Sequence, residues 1–286
     1  MKTLGYYNGC YGELESMYIP MLDRAAYFGD GVYDVAYGYA HTVFALSEHV
    51  DRFLQSARAL DIKIEGSEQD LIALIERMIK KVDAKSVSVY FQASRGTYFR
   101  EHAYDEMLKG NFSLMIRPAE MRDMTKPKKV MLYPDKRHGF SGLKTLNLLP
   151  NVLSAQAAKN NGCDEAILYR GDRITECAHS NVSILRKGVI ITPPSDGTIV
   201  PGIAREHLKK QCETLGVQWE YAYISKEDLL TADEILLTSS GALCQDVGEI
   251  DGEKVGGKDP ALLKELRAAV VKEYNEVTGA SIEVGR

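Results

Sequence analysis

Several stretches of this 286-residue chain carry side chains whose types and spacing could do chemistry. The first is Ser141-Gly142-Leu143-Lys144-Thr145-Leu146-Asn147-Leu148-Leu149-Pro150, in which a lysine stands among leucines. Partial desolvation lowers the pKa of such an amine and raises its neutral fraction, the form that attacks a carbonyl to make a Schiff base. A lysine snorkelling from an amphipathic segment gives the same run. The second is Val200-Pro201-Gly202-Ile203-Ala204-Arg205. Proline and glycine at a helix start leave backbone N–H groups free at the positive end of the helix dipole, an arrangement that can hold phosphate; it is also a common strand-to-helix turn. The third, Thr175-Glu176-Cys177-Ala178-His179-Ser180-Asn181-Val182, crowds a carboxylate, an imidazole, a hydroxyl and an amide into one short stretch. Its plain alternative is a polar hairpin loop.

The elements around these stretches follow from periodicity. Val50, Phe53, Leu54, Ala57 and Leu60 fall at helical spacing within Ser47 to Leu60, and Leu71 to Val82 repeats the pattern behind a Ser67/Asp70 capping box. Ser86 to Ala93 and Asn111 to Ile116 alternate with period two and read as strands. Between Pro118 and Lys129 the chain becomes charged and aperiodic. This predicts a small N-terminal domain over 1–119, a linker at 120–126 and a larger domain over 127–286. In the second part the spacing predicts a helix from about Pro150 to Asn160, strands near Glu165–Tyr169, Asn181–Leu185 and Val189–Thr192, and a helix opened by Pro201 and closed at Gly216. Strands at Gln218–Ile224 and Glu234–Thr238 and a final helix from Pro260 to Val277 complete it.

Composition excludes several classes. Hydrophobic residues at 45% and charged residues at 26% are those of a globular protein. The formal net charge of −5 gives no electrostatic reason to bind nucleic acid or an acidic membrane, so the expected partners are small molecules. No run of about 18 apolar residues occurs, and the start lacks the apolar region of a signal peptide, which reads as a cytoplasmic protein. The cysteines Cys10, Cys163, Cys177, Cys212 and Cys244 form no C-x-x-C pair, so neither a disulfide framework nor a zinc or other metal site is expected.

In their joint order and spacing, Lys144, Glu176, Thr192 and Gly202 resemble the fold-type IV, or class IV, pyridoxal-phosphate aminotransferase family. Phe28-Gly29-Asp30-Gly31-Val32-Tyr33-Asp34 and Glu48-His49-Val50-Asp51-Arg52-Phe53 look like family segments too, so the likeness spans nearly the whole chain. It implies a two-domain α+β / α/β fold, with a small α+β N-terminal domain and a larger sheet-based domain with helices. It also implies pyridoxal 5′-phosphate as cofactor, with Lys144 as Schiff-base lysine and proton shuttle and Glu176 beside the pyridine nitrogen. The cofactor-binding set carried over is Arg52, Lys144, Glu176, Ser180, Asn181, Val200, Gly202, Ile203, Ala204, Ser239 and Ser240. Cys177, next to Glu176, is expected close enough to the cofactor for thiol reagents to inhibit.

Within that family the likeness is greatest to bacterial D-amino acid aminotransferases, through Tyr90-Phe91-Gln92-Ala93-Ser94-Arg95-Gly96-Thr97-Tyr98-Phe99-Arg100-Glu101-His102. The R-x-H pair matching Arg100 and His102 binds the substrate α-carboxylate there, reached across a homodimer interface, with Tyr33 and Tyr90 on the substrate side. A planar guanidinium suits that task because it grips a carboxylate bidentately. The resemblance thus implies ping-pong transamination between a D-amino acid such as D-alanine and a 2-oxo acid such as 2-oxoglutarate. Branched-chain L-amino acid transamination, (R)-amine transamination and the aminodeoxychorismate lyase reaction share the lysine, the glutamate and the phosphate turn, and a cofactor-binding protein without turnover keeps the same fold. The chain departs from the family pattern at Gly142, His179, Ser183 and Gly241, which bears on cofactor surroundings and substrate scope.

Overall fold

The computed structural model describes residues 1–284. The chain divides into two compact units, the first comprising Met1–Met121, Leu143–Asn147 and Glu276–Ala280, the second Arg122–Gly142, Leu148–Asn275 and the residues from Ser281.

The first unit is built on strands β1 (Leu4–Tyr7), β2 (Cys10–Gly12), β3 (Gly31–Tyr39), β4 (Thr42–Val43), β5 (Ser86–Ser94) and β6 (Asn111–Pro118), with helices α1 (Arg24–Phe28), α2 (Leu46–Ala59) and α3 (Glu68–Ile79). The strands form an antiparallel sheet in the order β2-β1-β6-β5-β3-β4. Along β3 the buried residues alternate, so Val32, Asp34 and Ala36 share one face while Tyr33, Val35 and Tyr37 share the other. Apolar faces of α2 and α3 join the buried side, with Val50, Phe53, Ala57, Leu71, Ile75 and Ile79 in one core cluster with Val32 and Phe91. Phe53 meets Phe91 and Phe112 edge-on at 5.1 and 6.0 Å between centroids, and burying such a ring contributes about 1.5–3 kcal/mol. The expected capping box forms: Ser67 Oγ accepts from the Asp70 N–H at 3.2 Å, and Asp70 accepts from the Ser67 N–H at 2.8 Å.

Position along the chain assigns Lys144 to the second part, whereas Leu143–Asn147 belongs to the first unit. The reason lies at the edge of β3. Strand β4 pairs only with Gly38 and Tyr39, which leaves the other end of β3 open on that side. The excursion fills it: Tyr33 N–H donates to the Lys144 carbonyl at 2.9 Å, Leu146 N–H donates to the Gly31 carbonyl at 3.0 Å, and Thr145 bridges Val32. A side chain at Gly31 would meet the Ala93 carbonyl oxygen of β5 at 2.5 Å as well as Leu146 Cδ1 at 2.6 Å, so only glycine fits between β5 and the segment.

The second unit contains β7 (Lys128–Pro134), α4 (Leu149–Asn160), β8 (Glu165–Arg170), β9 (Arg173–Cys177), β10 (Asn181–Arg186), β11 (Val189–Thr192), α5 (Ile203–Leu215), β12 (Gln218–Tyr221), α6 (Lys226–Thr231), β13 (Glu234–Ser239), β14 (Leu243–Ile250), β15 (Glu253–Lys254) and α7 (Pro260–Thr278). Its mixed sheet runs β12-β11-β10-β13-β14-β7-β8-β9, with β15 paired to β14. The β14–β7, β7–β8 and β11–β12 pairs are parallel. The two parallel pairings of β7 make this short strand, which opens on lysine and ends in proline, the centre of that half of the sheet. The stretch around Glu176 is not a hairpin loop throughout: Thr175 to Cys177 are buried residues of β9, and only Ala178 to Ser180 turn toward β10. Among the described residues no helix is long and apolar enough to cross a membrane.

Candidate active site

In the first unit, Lys144 is held by its backbone and directed by a tyrosine. Its N–H donates to Ser56 Oγ at 3.3 Å, and its Nζ donates to Tyr33 Oη at 3.3 Å, 4.4 Å from the ring centroid. Tyr33 stacks on Tyr90, its neighbour on β5, at 5.5 Å between centroids. Burial, with Tyr33 alongside, pushes the Tyr90 phenol above its ordinary pKa, so it stays protonated and donates to Gln92 Oε1 at 2.7 Å. Arg52 lies one helical turn before Ser56 on α2. Its guanidinium grips Asp34 in a fork, Nε to Oδ2 at 2.9 Å and one terminal nitrogen to Oδ1 at 2.8 Å, and His49 meets the same Oδ1 at 2.7 Å. Burial alone would raise the Asp34 carboxyl, but Arg52 and His49 outweigh it and hold the group well below the usual carboxylate range. His49 is pushed down, first by burial and then by the charges of Arg52 and Lys144 against the pull of Asp34.

In the second unit, Glu176 receives donors from three directions. Arg137 donates to its Oε1, Asn181 Nδ2 donates to its Oε2 at 2.8 Å, and the Val200 N–H reaches both oxygens at 3.3 and 3.2 Å. Asn181 Nδ2 also donates to the Val200 carbonyl at 2.9 Å, closing a ring of contacts between β10 and the segment before α5. Arg137 is gripped from behind by Asp135 at 3.0 and 2.8 Å and donates to the Thr198 carbonyl at 2.9 Å. A side chain at Gly202 would run into Asn181 Oδ1. Helix α5 begins directly after it with no side-chain cap, so the N–H groups of Ile203 and Ala204 open the helix at its positive end. Arg205 of the same turn is buried and turned away, donating to the Pro193 carbonyl at 3.1 Å and to Ser195 Oγ at 2.6 Å. It braces the preceding loop.

The residues present suit the cofactor implied by the resemblance. An uncapped helix start suits a phosphate. Next to it, Thr238 is paired across the sheet with Asn181, and its hydroxyl is buried with no partner among the described residues; a lone buried hydroxyl is a polar group awaiting one. Ser239 and Ser240 follow at the end of β13. Glu176 is a buried carboxylate with fixed donors, suited to a ring N–H, and Lys144 offers a primary amine.

Ser180, next to Asn181, and the exposed pair Arg100 and His102 have partners of their own. Ser180 Oγ donates to Glu165 at 3.1 Å. The departure at His179 is explained by the same carboxylate: Arg122 has no acceptor, so His179 Nε2 must accept its N–H at 2.8 Å and Nδ1 carries the proton toward Glu165 at 2.8 Å. At Gly142 a side chain of any kind would meet Gly197 Cα at 2.8 Å, which accounts for the glycine there. Arg100 and His102 project from the loop after β5 and both rest on Phe28, with the guanidinium carbon and the imidazole each 5.2 Å from its ring centroid.

Cys177 corrects an expectation. It is buried at 1% exposure, and burial together with the carboxylates of Glu165 and Glu176 pushes its thiol well above the ordinary range. The thiolate is the reactive form. Native protein treated with iodoacetamide should be alkylated at the exposed Cys10 and carry no label at Cys177 by peptide mapping; rapid labelling of Cys177 would contradict its place in β9. Arg137, Asp135, Asp34 and His49 were not among the residues expected at the site. For Asp34 a signal existed, a charge at an inward position between Val32 and Ala36. Arg137 gave none beyond a charged loop.

Residues 31–250 match the family described as amino-transferase class IV. Over 273 residues the chain is 32% identical to a D-alanine aminotransferase of Listeria monocytogenes serotype 4b (strain F2365), covering 93% of this chain and 94% of that one. Over 285 residues it is 32% identical to a D-alanine aminotransferase of Bacillus licheniformis, covering 99% and 100%. The solved branched-chain amino acid aminotransferase from Escherichia coli shares its fold with a TM-score of 0.87 at 21% identity, covering 99% of this chain and 97% of that chain. On this match, the chain belongs to the class IV aminotransferases, enzymes dependent on pyridoxal 5′-phosphate.

Proposed function

We propose that the protein transfers the amino group of a D-amino acid, such as D-alanine, to a 2-oxo acid, such as 2-oxoglutarate. The observation that carries this reading is the pairing of Arg100 and His102 on Phe28, a guanidinium and an imidazole suited to clamp an α-carboxylate, in a chain about one-third identical to named D-alanine aminotransferases. When bound, pyridoxal 5′-phosphate supplies the carbon that takes the amino group and the ring that withdraws electrons from the substrate Cα. Lys144 Nζ would hold the cofactor and, once free, would carry the proton between the substrate Cα and that carbon. Tyr33 Oη, which accepts from Nζ, orients the amine. Glu176, whose oxygens accept from Arg137, Asn181 and the Val200 N–H, would pair with the ring nitrogen and hold a proton there. Arg52, with Ile203, Ala204 and the serines after Thr238, anchors the phosphate, and Asp34 fixes the direction of Arg52.

A cytoplasmic homodimer is the setting of the same reading, in which the Arg100–His102 loop reaches the neighbouring copy. That loop also exposes Phe99 and Met107, apolar surface of the kind an interface covers. Arg100→Ala tests the reading. Removing a charged hydrogen-bond donor costs about 1.5–3 kcal/mol, so kcat/KM for D-alanine should fall roughly 10- to 100-fold with cofactor affinity unchanged. Unaltered D-alanine turnover in this variant, or a wild-type preference for L-leucine over D-alanine, would overturn it.

A further inference from the structure

Behind the loop that carries Arg100 and His102 stands a buried guanidinium that neither the family motifs nor the proposed reaction uses. Arg24, the first residue of α1, is 3% exposed. One of its terminal nitrogens donates to the Glu101 carbonyl at 2.7 Å, the other donates to the His102 carbonyl at 3.3 Å, and Nε donates to Asp30 Oδ2 at 2.7 Å. Successive carbonyls of an extended strand point to opposite sides. Here both turn toward one guanidinium, which holds Glu101–His102 in a fixed bend.

The grip is reinforced twice. Asp30 accepts Arg95 Nε on both oxygens at 3.0 and 2.9 Å, and the Arg95 guanidinium lies 3.8 Å from the centroid of Tyr104 further along the same loop. The Arg24 guanidinium carbon is also 4.9 Å from the centroid of Phe28, the ring on which Arg100 and His102 both rest. Backbone, ring and counter-ion are therefore tied to one buried side chain. With five N–H donors in a rigid plane, arginine can serve these directions together, whereas the ammonium of lysine cannot.

We infer that Arg24 is a positioning residue for the substrate-carboxylate clamp, setting the Glu101–His102 backbone and, through Phe28, the aim of Arg100 and His102. The inference rests on the reading of Arg100 and His102 as that clamp. Displacing a clamp by about 1 Å can cost up to about 100-fold. In the cofactor-loaded enzyme, Arg24→Met and Arg24→Lys should therefore each raise KM for D-alanine about 10- to 100-fold. Saturated turnover should stay within about threefold, and the affinity of the cofactor-free enzyme for pyridoxal 5′-phosphate should not change.

Unchanged KM in both variants would overturn the inference, as would a parallel fall of kcat and cofactor affinity, the mark of general structural damage. If the Arg24 variants do not fold, Phe28→Leu is read the same way: a raised KM at constant kcat supports the inference, and an unchanged KM overturns it. Arg100→Ala, run alongside, separates the two levels. Were it to leave kcat/KM for D-alanine unchanged, the clamp reading would fail; were it to lower kcat/KM while the Arg24 variants leave KM unchanged, only the role of Arg24 would fail.

Discussion

Replacing Lys144 by alanine should lower transamination by at least about 10⁴-fold, the upper end of what positioned proton transfer contributes, and leave the protein folded. The two parts of that expectation have separate causes. The segment carrying Lys144 is held on β3 by backbone hydrogen bonds, Tyr33 N–H to the Lys144 carbonyl at 2.9 Å and Leu146 N–H to the Gly31 carbonyl at 3.0 Å, and alanine keeps both. What it removes is the amine that donates to Tyr33 Oη, and with it both the tether and the proton carrier. Borohydride treatment of the wild-type enzyme should fix the cofactor to a single peptide, the one containing Lys144, while the variant should retain none after denaturation. A variant with more than a hundredth of wild-type activity, or a label fixed to another lysine, would refute the assignment.

Glu176→Gln should separate turnover from cofactor binding. The glutamine has the same shape but no charge, so a ring nitrogen beside it loses the partner that keeps it protonated. A preorganised electrostatic contact of this kind is worth about 10²–10³-fold in kcat. The substitution leaves the groups proposed to hold the phosphate untouched, so cofactor affinity should change by less than tenfold. A stability cost is expected as well. The amide N–H of glutamine must face groups that now donate to the carboxylate, and Arg137 keeps only Asp135 as an ionic partner. The penalty of a mismatched buried hydrogen bond is about 1–3 kcal/mol, to be read as a lower melting temperature. Equal losses in cofactor affinity and in kcat would assign Glu176 a structural role instead.

Elements with strong periodicity were legible before the structure. The stretch from Asn181 to Leu185 is apolar enough to be a strand in any context, and the Ser67/Asp70 capping box marks the start of α3 by local chemistry alone. Elements whose conformation depends on neighbours were not. Strand β7 opens with Lys128 and Lys129 and becomes central only because β14 and β8 flank it in parallel, while β9 reads as a polar turn because Thr175 and Glu176 are buried against partners distant in sequence. The site divides in the same way. Lys144, Glu176, Asn181 and Gly202 stand in recognisable local motifs. Arg137 and Arg24 do not, because their importance comes from what they hold: Glu176 lies 39 residues from Arg137, and Glu101 lies 77 from Arg24. The place of Lys144 on β3 was missed for the same reason, since an excursion of a few residues onto another sheet edge leaves no periodic trace.

The most direct test of the account is to incubate the cofactor-loaded enzyme with D-alanine and 2-oxoglutarate and resolve the amino-acid product by chirality. D-Glutamate and pyruvate should form in equal amounts, with L-alanine and L-leucine giving rates at least about tenfold lower as amino donors, the difference set by the fixed geometry of the carboxylate clamp. Pyruvate formed without glutamate, or L-glutamate formed faster from L-leucine than D-glutamate from D-alanine, would contradict it.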